Sequence, residues 1–104
     1  MGFDQYHEPP SELSQETRTR ARIFASLTEE AEAISWYDQR ISLEKDRQAR
    51  AIMENAQQEE FKHYGMNLEF LHRKMAKCQK ELHCILCHPG EIVEHAPAAQ
   101  APDA

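Results

Sequence analysis

IFASLTEEAEAISWYDQRI, residues 23–41, carries large apolar side chains at Ile23, Leu27, Ile34, Tyr37 and Ile41, with Glu30 in the gap between Leu27 and Ile34. Counting Glu30, the steps are four, three, four, three and four. That is the period of a helix seam that packs against other helices. A lone ionised carboxylate in such a seam costs on the order of several kcal/mol. Glu30 is therefore protonated, paired with a cation, tilted to solvent or bound to metal. Glu29 and Glu32 flank it on neighbouring faces, where carboxylates are commonly solvated. Trp36 and Tyr37 follow about two turns on; aromatics there serve packing, and Tyr and Trp also suit hydrogen bonding to ligands from outside.

Working outward, no Gly or Pro interrupts residues 11–41. A helix is expected from Ser11–Ser14, where Ser can cap and Glu12 and Glu16 favour the positive end of the dipole. It runs to about Ile41, a length of about 40 Å. Residues 42–46 read as a turn, with Ser42 or Asp46 able to cap a second helix that continues to about Lys77, weakened only at Gly65. A short third helix is expected from Cys78 to Cys87, stopped by Pro89-Gly90. Residues 1–10, ending in Pro9-Pro10, form an extended arm, and the Ala/Pro-rich tail at 91–104 reads as disordered. The expectation is an all-α chain, with residues 11–90 a two-helix antiparallel hairpin plus the short C-terminal helix. Neither apolar stripe can be covered fully by the other, so two hairpins should dimerise into a four-helix bundle.

The chain has 104 residues, 40% hydrophobic and 29% charged, with a net charge of -6. One small helix-rich unit fits that composition, and the negative balance attracts cations and disfavours nucleic acid. No apolar run approaches the roughly 20 residues of a membrane span, and MGFDQYHEPP lacks the apolar region of a signal peptide. A cytoplasmic protein is expected. Three Cys, an odd number, argue against a secreted disulfide framework.

A second stretch, EEFKHYGMNLEFLH at residues 59–72, repeats Glu-x-x-His: Glu60 with His63, and Glu69 with His72. Carboxylate and imidazole three apart on a helix can grip one transition metal. Nine residues separate the pairs, about two and a half turns, so they point to opposite sides of the helix. Met53, Ala56, Asn67 and Phe70 accompany Glu60 and His63, which reads as the inward side. Gln58, Lys62, Gly65 and Ala76 accompany Glu69 and His72, which reads as solvated. One Glu from the first helix and Glu-x-x-His from the second is half the donor set of a di-iron carboxylate bundle, and a dimer supplies it twice.

TEEAEAISWYDQR at 28–40, NAQQEEFKHYGMNLEFLHR at 55–73 and His7-Glu8-Pro9 resemble the encapsulated ferritins, small two-helix ferritin-like proteins carried inside encapsulin shells. The resemblance covers roughly residues 7–95. It implies a ferroxidase centre formed between two chains, oxidising Fe²⁺ to Fe³⁺ with O₂, with two irons per dimer and dimers assembled into a ring-shaped decamer. It further implies Glu30, Glu60 and His63 as iron ligands, Glu29 and Glu32 as metal-entry carboxylates, and Trp36 and Tyr37 as surroundings of the centre. An open ring cannot hold mineral, so an encapsulin shell would act as the store. Two features depart from that pattern: the tail carries no recognisable encapsulin-targeting peptide, and Cys84-Ile85-Leu86-Cys87-His88 matches the c-type haem attachment signature. A metal or haem binding protein using Cys84, Cys87 and His88 is the alternative reading, with Cys78 or His83 available to a thiol-rich accessory site.

Overall fold

The computed structural model describes residues 4–97. They fold as three α-helices, α1 (Gln15–Leu43), α2 (Arg47–Lys74) and α3 (Ala76–Ile85), with 3-10 turns at Pro10–Glu12 and Val93–His95. No strand occurs among the described residues. The chain divides into two compact units between Phe70 and Leu71.

In the first unit, Ser14 starts α1. Its hydroxyl oxygen accepts from the Thr17 amide at 3.1 Å, satisfying one orphan donor of the first turn. Just before it, the turn at Pro10–Glu12 is closed by the Glu12 amide on the Pro9 carbonyl at 2.9 Å. At the other end the Ser42 hydroxyl donates to the Gln39 carbonyl at 2.7 Å, so Ser42 finishes α1 instead of capping α2. Asp46 is the cap of α2: its Oδ1 accepts from the Ala49 amide at 2.9 Å, and its own amide donates to Glu44 Oε2 at 3.0 Å.

With only residues 44–46 between them, α1 and α2 fold into a hairpin. Gln57 Nε2 donates to the Ile34 carbonyl at 3.1 Å. Further along α2, Asn67 meets Glu30, earlier on α1, so the helices run antiparallel. The seam residues Ile23, Leu27, Glu30, Ile34, Tyr37 and Ile41 are all half-buried, as their period predicts, yet no described residue of this unit is fully buried. Phe24, Trp36, Ile52, Phe61 and Met66 remain exposed.

The second unit departs from expectation at its start. The second helix ends at Lys74, three residues before the expected Lys77, and the third begins at Ala76 instead of Cys78. Met75 leaves the helical region at φ -127, ψ 105. Its amide still donates to the Leu71 carbonyl at 2.9 Å, and its carbonyl accepts from the Gln79 amide at 3.0 Å, so one residue closes α2 and opens α3. Neither Gly nor Pro stands there, which is why local composition does not announce the break. Leu71 is the one buried residue among those described. His72 is also corrected: expected on a solvated face, it is half-buried, its ring centroid 4.6 Å from that of His83. In the tail, Val93–His95 forms a turn, while residues 98–104 lie outside the described residues, as do residues 1–3 of the N-terminal arm.

Candidate metal centre

Halfway along α1, Glu30 faces α2 because the seam period carries it there. Glu60 and His63, three apart on α2, project from one side of that helix and meet it. The donor atoms of Glu30, Glu60 and His63 all lie within 4.8 Å of one another, and among the described residues this is the one such group of His, Cys, Asp or Glu. Glu30 and Glu60 are half-buried and His63 is exposed. His63 Nδ1 stands 4.0 Å from Glu60 Oε2, too far for a hydrogen bond, so the imidazole keeps its donor capacity for something else.

The charged neighbour of Glu60 is His63 itself, cationic only when its ring is protonated. Lys62, the nearest cation in sequence, pairs with Glu59 at 3.1 Å on the outer face. At an effective dielectric of about 20, two carboxylate charges 4.8 Å apart repel by roughly 3.5 kcal/mol, before solvent screening reduces it. A bound divalent cation turns that repulsion into attraction.

The Glu30 partner is neutral, and sequence reasoning did not assign it. Asn67 Nδ2 donates to both Glu30 oxygens, at 2.9 and 2.8 Å. The signal was present in the register: Asn67 lies four residues after His63 and seven after Glu60, on the same face. Gln57 is the second such residue; its bond to the Ile34 carbonyl locks the two helices close to the centre.

Other sequence-predicted residues stand apart from the three donors. Glu29 and Glu32 are exposed on α1, off the seam. Trp36 is half exposed, at 51%. Tyr37 is half-buried and has the Arg40 guanidinium 5.5 Å from its ring centroid, a cation–π contact. Both aromatics begin about 9 Å along the helix from Glu30. Cys84, Cys87 and His88 belong to the second unit.

A helical hairpin with this carboxylate and histidine set has close relatives. The EncFtn-like family model matches residues 5–89, which span both helices of the hairpin and all three donors. The chain belongs to the EncFtn-like family. It is 43% identical over 91 residues to a ferritin-like protein of Thermotoga maritima, covering 88% of this chain and 80% of that protein. It is 41% identical over 86 residues to an encapsulated ferritin-like protein of Rhodospirillum rubrum. That match covers 83% of this chain but only 61% of the Rhodospirillum protein. Among solved structures, protein ne0167 of Nitrosomonas europaea aligns with a TM-score of 0.82 at 40% identity, over 86% of this chain and 98% of that one. The EncFtn-like chain thus has a ferritin-like helical fold, as its seam and turn predicted. No helix among its described residues is long and apolar enough to cross a membrane.

Proposed function

We propose that this EncFtn-like chain is a ferroxidase, taking Fe²⁺ as its substrate and O₂ as its oxidant. The observation that carries the reading is the convergence of Glu30, Glu60 and His63 within 4.8 Å. Two carboxylates and one imidazole suit iron in oxygen- and nitrogen-rich surroundings. They leave an octahedral ion half coordinated. A second chain, related by a two-fold axis, would bring the same three residues for a second ion: four carboxylates balance two Fe²⁺, two imidazoles add neutral donors, and second carboxylate oxygens with water would fill the remaining positions. Each Fe²⁺ gives up one electron, and the pair of electrons with two protons takes O₂ to hydrogen peroxide.

Within this scheme Asn67 holds the Glu30 carboxylate in its orientation, leaving the remaining lone pairs of both oxygens for metal. Glu29 and Glu32, exposed beside Glu30, attract hydrated cations toward the centre. Trp36 and Tyr37 are assigned to the surroundings of the centre in the assembled protein. The exposed Phe24, Trp36, Phe61 and Met66 support burial against further copies, with a ring of dimers as the assembly. The name of the Rhodospirillum relative, an encapsulated ferritin-like protein, supports housing within an encapsulin shell; the shell as iron store and the cytoplasm as compartment are part of the same proposal.

The test is O₂ consumption on adding Fe²⁺ to the purified protein, with Glu60→Ala alongside. Rapid uptake by the parent, falling to the rate of free Fe²⁺ in the variant, is the expected result. Equal uptake by both removes the proposal.

A further inference from the structure

The segment after α3 carries chemistry that the carboxylate centre does not use. Cys84 is half-buried on the last turn of α3, and Cys87 is exposed just past its end. Cys87 sits at φ 64, the left-handed region that residues other than Gly seldom enter, and Gly90 follows at φ 98. Past these two positions, the turn at Val93–His95 packs back onto α3. His95 is thereby brought beside His88, with ring centroids 5.5 Å apart.

Hydrogen bonds select the same tautomer in both rings. His88 Nε2 lies 2.8 Å from the His83 carbonyl, and His95 Nε2 lies 2.6 Å from the Pro89 carbonyl. A carbonyl only accepts, so in each neutral ring the proton is on Nε2 and the lone pair is on Nδ1. Imidazoles that ligate metals are held this way, one nitrogen donating to a carbonyl and the other facing the ion. Neither helix formation nor iron oxidation requires two rings so held in the segment that carries Cys84 and Cys87.

We infer that Cys84, Cys87, His88 and His95 form a second metal site, which takes one thiophilic divalent cation of the zinc type. Two thiolates and two Nδ1 atoms are a complete tetrahedral set, and the two thiolates balance the charge of the ion. The donors differ in kind from the oxygen-rich Glu30 centre, so the two sites select different ions. As the chain stands, the four donor atoms are not gathered within 4.8 Å. Binding would draw the two sulfurs and the two Nδ1 atoms together, and two thiol protons leave to solvent as the ion binds. Once bound, the ion ties the turn at Val93–His95 to the end of α3.

Co²⁺ is the probe, added to the reduced full-length protein without oxygen. One Co²⁺ per chain should bind with thiolate-to-metal charge-transfer absorption and be displaced by Zn²⁺. Cys84→Ser with Cys87→Ser should abolish that absorption, and His88→Ala with His95→Ala should weaken binding roughly tenfold or more. On the unaltered protein, Zn²⁺ should shield Cys84 and Cys87 from alkylation and leave Cys78 reactive. The Glu30 centre contains no sulfur, so the absorption reports on this site whether or not the ferroxidase reading holds. Three results overturn the inference: no charge-transfer absorption, absorption and affinity unchanged without the two His, or a Soret band with a mass increase of one haem.

Discussion

Asn67 holds both oxygens of Glu30 with one amide nitrogen, and this small contact carries much of the geometry of the centre. Replacing it by Ala should leave the helices formed but release the carboxylate. Iron affinity should then fall roughly tenfold, as is usual for groups that orient a ligand, read by anaerobic competition with a coloured chelator. The two Glu-x-x-His pairs offer a matched comparison. His63→Ala removes a proposed ligand and should lower the oxidation rate roughly tenfold or more. His72→Ala should keep the parent rate and lower stability by about 1 kcal/mol, since the ring packs at 4.6 Å from His83. Loss of oxidation in His72→Ala with its retention in His63→Ala would reverse the assignment. Neutralising Glu29 and Glu32 together should slow iron uptake while leaving saturation stoichiometry unchanged; loss of bound iron would make them ligands. At this scale the meeting of Glu30 with Glu60 and His63 was legible because helix period fixes which side chains share a face, although His63, read as inward, is exposed on the single chain. Asn67 and the half-buried His72 were not, because a neutral amide has no charge pattern and a ring contact depends on where the next helix lies.

Among the elements, helix ends were legible wherever a side chain caps them. Ser14 and Asp46 both satisfy amides of the first turn they precede. Asp46→Ala should lower stability by about 1 kcal/mol in denaturant unfolding, through loss of the Ala49 bond. Gly65 is the opposite case, a residue that weakens its helix with no close approach among the described residues to call for it. A Cβ there meets nothing within 4 Å. Gly65→Ala should therefore raise stability by roughly 0.8–1 kcal/mol; a decrease would mean that another chain packs tightly on that face. The break at Met75 escaped sequence reasoning because Arg73-Lys74-Met75-Ala76-Lys77 contains only good helix formers. Leu71, four residues before the break, is the one fully buried residue among those described, and its carbonyl accepts the Met75 amide.

On the scale of the whole molecule, the hairpin pairs its helices without enclosing a core. Phe61 stays 50% exposed and Met66 63% exposed, both on the helix that carries Glu60 and His63. Covering such side chains is worth about 25 cal/mol per Å², so association stabilises each hairpin beyond what it achieves alone. If the iron pair is shared between two chains, metal and association are linked. Iron at a hundred times its dissociation constant would favour the dimer by about 2.7 kcal/mol. The most direct measurement is sedimentation velocity of the protein with and without Fe²⁺ under anaerobic conditions, with iron quantified in each sedimenting species. Iron should shift the population to the dimer or a larger even assembly, carrying two irons for every two chains. Iron carried by a monomer, or an assembly whose iron content falls well short of one per chain at saturation, would contradict a centre built between two chains.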